Sequence, residues 1–292
     1  MQTSYLEHYR AFSQFTYPGF YQERLRRDLP TDIGQLGRLV KQQVIHSLLL
    51  SESREGGQIN PVYGNIREVP WYRQGEDDYF PTAASILAEL YHRDPRGFVP
   101  DRAVENKLII TCRFVAILMA TILKTRGIPA RVRAGYAPYI RSDGMEVHWI
   151  TQYWHAPAER WITIDADASL EDRAFDPFDM PPDTFCFAAN AWLAVRAGRQ
   201  DASLYIVDNV SALENLATQL FFDFHCLMNN EIPYTQAPVF IAIDFNMVEE
   251  EKLQAIDALA RLLLELEENF SQLQTIWETN HDFRLLKGSL IL

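Results

Sequence analysis

The run LIITCRFVAILMATILKTRGIPARV, residues 108–132, constrains the fold more than any other stretch of the chain. From Cys112 to Arg126 apolar residues fall on every side of a 3.6-residue period. Such a helix has no face to give to water and must lie in the core. Gly127 suits a left-handed C-cap and Pro129 stops the helix from continuing. Thr111 is an N-cap residue type, which puts Cys112 at the first helical position.

Beyond Gly127 the period changes from 3.6 to 2. ARVRAGYAPYI (130–140), EVHWITQYWHA (146–156) and RWITIDA (160–166) alternate as strands do. RSDG, ending at Gly144, predicts a hairpin turn and PAE (157–159) a second one. A helix followed by successive antiparallel strands is an α+β arrangement. The first 50 residues read as helices, SYLEHYRAFSQF and then IGQLGRLVKQQVIHSLLL, and TAASILAELYHRD (82–94) as another. The polar, Gly- and Pro-containing segment 51–81 reads as a long loop. After residue 170 the pattern returns to helix, in TFCFAANAWLAVRAGR, in VSALENLATQLFFDFHCLMNN and, with a break allowed, over 248–280; PVFIAID reads as extended. The expected organisation is a single domain over 1–292, with a core at 82–170, an N-terminal helical extension at 1–50 and a mainly helical C-terminal extension at 171–292.

With 292 residues, 48% of them hydrophobic, the chain can bury a sizeable core. A formal net charge of −12 argues against a nucleic-acid or anionic-membrane binder, because both require a basic field. No stretch reaches the ~20 apolar residues of a membrane helix, and the N-terminus lacks the charged and apolar regions of a signal peptide. Cys112, Cys186 and Cys226 are widely spaced and form no CxxC pair, so neither a disulfide framework nor a metal site is expected. These readings predict a cytoplasmic protein with no cofactor.

A thiol at a helix N-terminus feels the positive helix end, which favours the nucleophilic thiolate. The bland reading of Cys112 is a small core residue. His148 stands early in an alternating strand, where its direction is fixed and it can act as base to a thiol. Asp165, on the next strand, can orient that imidazole. Asp167, two residues on, points to the same strand face and competes for the role. Each of these residues also has an ordinary structural reading: a half-buried histidine beside Trp149, or a turn aspartate at a strand end. Asp77 and Asp78 read as a solvated loop or a helix cap. His225 and Cys226 read as core, because adjacent helical residues diverge and cannot form a dyad.

TCRFVAILMATILKTRGIPARVRAGY, HWITQYW and WITIDA together resemble the three core motifs of the transglutaminase-like, papain-like thiol enzyme superfamily. The resemblance covers about residues 106–168. It implies a central helix packed on an antiparallel sheet, with Cys112 as nucleophile, His148 as general base and Asp165 as orienting carboxylate. Trp161 matches the aromatic of the third motif. The resemblance further implies an oxyanion donor upstream of the cysteine, for which Asn106, Tyr79 and Trp71 are candidates; Trp149, beside the histidine, is a candidate substrate contact. The flanks VENKLIITCR and FCFAANAWLAVRAG are similar to a bacterial subgroup of transglutaminase-domain proteins. Thr111 departs from the usual Gly or Asn before the cysteine, and Ala166 from the usual proline after the aspartate. The implied activity is hydrolysis of a peptide, protein or small-molecule amide, or acyl transfer to an amine. A non-catalytic binding or scaffold protein that keeps the fold is the alternative.

Overall fold

The computed structural model describes residues 2–47, 65–140, 144–205, 210–241 and 245–287. They form two compact units, one comprising 9–132 and 150–181, the other 1–8, 133–149 and 182–292.

In the first unit α1 (Gln2–Arg10) ends, and α2 (Gln22–Asp28) and α3 (Ile33–Lys41) follow. Helix α3 starts on Asp32, whose side chain accepts from the Gln35 N–H. The predicted helix through residue 50 is corrected here. It stops at Lys41, and Val44–Ile45 form strand β1 instead, while residues 48–50 lie outside the described residues. Two β-branched residues after a polar turn resist continued helix and suit a strand. Helix α4 (Ala83–Arg93) begins with a capping box between Thr82 and Ser85. Of the expected loop 51–81, residues 51–64 fall outside the described residues, and the remainder is turns around a 3-10 segment, Ile66–Glu68.

Strand β2 (Leu108–Ile109) pairs in parallel with β1, Val44 opposite Leu108 and Ile45 opposite Ile109. It leads into α5 (Cys112–Thr125), every residue of which is buried, as its all-round apolar pattern demands. Gly127 closes it at φ 75°, in the left-handed region that favours glycine. Strands β3 (Ala130–Ala137), β4 (Glu146–His155) and β5 (Arg160–Ile164) follow. Within this unit their order is β5-β4-β3. Strands β4 and β5 are antiparallel, with Trp154 opposite Trp161 and Thr151 opposite Ile164. The Thr151 hydroxyl donates to the Ala116 carbonyl (3.1 Å), tying the sheet to α5. Arg131 lies over the Trp161 ring (3.9 Å) and donates to Gln152 (2.9 Å), so the GIPAR and W-x-x-x-D motifs meet as one packed contact.

In the second unit the order is β4-β3-β6, where β6 is Cys186–Phe187. Here the expected helix from 184 is corrected, since Cys186 and Phe187 pair with Tyr136 and Gly135 before α6 (Ala188–Arg196) begins. A Cβ on Gly135 would stand 2.3 Å from the Cys186 carbonyl, so only glycine admits this pairing. Helix α7 (Ala212–Leu227) carries Asp223, which receives a two-pronged pair of bonds from Arg133 (both 2.8 Å) and a third from the Ala134 N–H (2.9 Å). Helices α8 (Glu250–Leu264) and α9 (Leu266–Thr279) are separated by a break at Glu265, as the pattern over 248–280 allows. Of PVFIAID, Pro238 makes one isolated bridge, to Leu286, and 242–244 lie outside the described residues, as do 141–143 of the expected RSDG turn. No helix among the described residues is long and apolar enough to cross a membrane. The mixture of helices and antiparallel strands is an α+β fold.

Candidate active site

Cys112 is the first residue of α5 and only 4% exposed. The backbone of residues 108–111 delivers it there. Successive N–H groups of an extended chain point to opposite sides. Leu108 and Ile110 donate to the Gln43 and Ile45 carbonyls on the β1 side (both 3.1 Å). Ile109 donates to Glu76 Oε2 (2.9 Å) and Thr111 to Asp77 Oδ1 (2.9 Å) on the other side. The Glu76 N–H closes the pattern on the Ile109 carbonyl (2.7 Å).

Thr111 holds the N-cap position, yet its side chain makes no capping bond to the helix. Burial works against the Glu76 charge, but Arg93 and Arg73 (2.8 and 2.9 Å) and the Ile109 N–H outweigh it and hold the carboxyl below its ordinary pKa. Burial pushes the Asp77 carboxyl up despite the Thr111 hydrogen bonds and the charges of His46 and Arg113. Asp78, by contrast, is exposed.

The same ladder brings in a residue that sequence reasoning missed. One step past the Ile45–Ile109 pair sits His46, level with Ile110 and so beside the start of α5. Its imidazole is hydrogen-bonded to the Cys112 thiol. Burial opposes its protonation, but the bond to Cys112 and the charges of Asp167 and Cys112 prevail, against Lys41, and raise its pKa above the ordinary value. Asp167 is in turn paired with the Lys41 ammonium at 2.6 Å, and the Lys41 side chain is 1% exposed. The only signal in the sequence was the pair Val44–Ile45 just before the histidine.

The expected residues take the following places. Asp165 is buried just after β5, and its Oδ1 accepts from the Ala168 N–H (3.1 Å), the turn role foreseen as its ordinary reading. His148 is buried on β4, in the second unit, with its ring edge-on to Tyr139 at 6.3 Å. Trp149, on the opposite strand face, is buried against Phe222 and Tyr234, each at 5.5 Å. Asn106 ends a 3-10 segment and its carbonyl accepts from Arg102 (3.2 Å). Trp71 and Tyr79 are exposed, at 87% and 73%. His225 and Cys226 are fully buried, as expected for core. Cys186 is half-buried.

Residues 67–166 match the family model of the transglutaminase-like superfamily. That segment, about a third of the chain, is similar to the transglutaminase-like superfamily. The match spans the Cys112, His148 and Asp165 motifs and stops one residue short of Asp167. No curated protein and no solved structure matches the chain. Within the transglutaminase-like segment, Cys112 and Asp165 belong to the first unit and His148 to the second. His46 lies outside the matched residues. Among the described residues, no three His, Cys, Asp or Glu side chains gather as a metal site would need.

Proposed function

We propose that the protein is a cysteine-dependent acyl-transfer enzyme, with Cys112 as the nucleophile. The observation that carries this reading is a thiol at the first residue of a buried helix, hydrogen-bonded to an imidazole, inside the transglutaminase-like segment. Helix end and imidazole both favour the thiolate. The thiolate attacks the acyl carbon of an amide, a C–S bond forms, and the C–N bond breaks as the leaving amine takes a proton. Water or a second amine then attacks the thioester, gives up a proton, and the C–S bond breaks to return the thiolate.

The motif pattern makes His148 the group that delivers and takes the protons at the substrate, and Asp165 its orienting carboxylate. The Cys112 backbone N–H is suited to the developing oxyanion, with Asn106, Tyr79 or Trp71 as the second donor. The substrate class is a peptide, protein or small-molecule amide.

The 4% exposure of Cys112 favours a second reading, a binding or scaffold protein that keeps the fold. Intact mass after incubation with a simple activated ester separates the two. The enzyme reading expects one acyl adduct on the native protein and none on Cys112→Ala. An adduct that forms only after unfolding would establish the scaffold.

A further inference from the structure

We propose that the exposed aromatic edge of the first unit docks the polypeptide that carries the reacting amide, an extended chain bearing arginine side chains. This rests on the acyl-transfer reading and narrows its substrate from amides in general to basic polypeptides.

Among the described residues five Tyr, Phe and Trp side chains are exposed, and all belong to two neighbouring stretches of this unit. Trp71, Tyr72 and Tyr79 lie on one, Tyr17 and Phe20 on the other. The Ala83 N–H donates to the Phe15 carbonyl (2.7 Å), and a Cβ on Gly19 would stand 3.7 Å from that of Ala84. The second stretch thus lies against the start of α4, into which the first one leads. Together the five rings leave roughly 750 Å² of side-chain surface in water. That is close to the ~800 Å² that one partner brings to a protein contact, and more than a small amide covers.

The stretch with Trp71 and Tyr79 is a rigid mount. Glu76 accepts from Arg73 (2.9 Å) and Arg93 (2.8 Å), and Arg73 donates on to the Glu105 and Lys107 carbonyls (2.6 and 2.7 Å). Asp77 accepts from the Thr111 N–H (2.9 Å). Thr111 immediately precedes Cys112, and Tyr79 follows Asp77 by two positions, so the rings and the nucleophile share one frame. Rings held in this way lose little freedom when a ligand arrives.

Charge selects the occupant. Glu68 and Asp78 are exposed on the same stretch, and Glu105, tied to it through Arg73, is exposed as well. Trp71 and Tyr72 stand edge to face (5.9 Å), so their faces open in two directions. A guanidinium stacks on such faces more often than an ammonium does, and it pairs with carboxylates beside them.

Binding to full-length Cys112→Ala, which cannot be acylated at that position, tests the proposal by fluorescence anisotropy of a labelled synthetic peptide. A peptide of alternating arginine and glycine is expected to bind, and one of alternating glutamate and glycine is not. Tyr72→Ala and Phe20→Ala, both exposed and so free of folding cost, are each expected to weaken binding about tenfold. Equal affinity for the two peptides, or an unmoved affinity in both variants, overturns the proposal and leaves the acyl-transfer reading standing. A dimer in light scattering that Phe20→Ala dissolves assigns the edge to a second copy of the chain and overturns it too. A wild type that binds the arginine peptide yet takes no acyl group from a simple activated ester overturns the acyl-transfer reading, and with it the substrate role of the edge.

Discussion

Two of the histidines have a cysteine for company, and their chemistry is opposite. His225 and Cys226 are neighbours in sequence on α7, yet the His225 ring turns away, bonding the Phe283 carbonyl (2.8 Å) and the Asn230 amide (3.0 Å) and packing on Trp277. His46 and Cys112 are far apart in sequence and are joined by a ladder of two residue pairs. Burial pushes the His225 ring down to about 4, because a carbonyl alone does not offset the cost of charging it. At half-buried His46 the cost of charging the ring is overcome by its thiol and carboxylate neighbours. The sign of the neighbours decides whether that cost prevails.

The two sites therefore carry opposite pH signatures. The raised His46 adds stability that is present in acid and lost as pH rises through its folded pKa. The lowered His225 costs stability as pH falls through the ordinary histidine value toward about 4.

The contrast is broken most severely at Lys41. Lys41→Met leaves Asp167 without its buried partner and is expected to cost about 3 kcal/mol in urea unfolding, as single removals from buried ion pairs do. A change under ~1 kcal/mol would mean that solvent already holds Asp167. Next comes the pH arm at His225. Between pH ~6.5 and about 4 the ring contributes a loss on the order of 3 kcal/mol, and His225→Gln is expected to flatten that part of the stability–pH curve. A slope equal to that of the wild type would show that His225 is not the group responsible. Asp77→Asn is the smallest change. Its Oδ1 still accepts from Thr111 and a buried charge is removed, so the expected shift is under ~1 kcal/mol by thermal unfolding. A larger loss would show that the carboxylate charge, not the acceptor, anchors the start of α5.

The helix α5, its start at Cys112, its stop at Gly127 and the strands β3 to β5 were legible because each is written as a period of 3.6 or 2 with its own terminators. His46 was not. VIH continues the apolar spacing of α3, and only the parallel partner at 108–109, remote in sequence, makes it a strand. Asp77 sits in a polar segment that reads as solvated, and its partner Thr111, bonded through its backbone N–H and its side chain, lies 34 residues away. The competition between Asp165 and Asp167 was posed on strand parity. Strand β5 ends at Ile164, so parity no longer governs the two, and they diverge, one to the Ala168 N–H and the other to Lys41.

The alternate bonding of residues 108–111 also acts as a counting device. Inserting one residue there would turn each N–H toward the wrong neighbour, Thr111 facing β1 and Ile110 facing the carboxylates of the 76–77 segment. Length changes in this short stretch are thus tolerated only in even steps. A graft that moves Cys112 onto another scaffold has to carry the segments 43–46, 76–77 and 108–112 as one cassette.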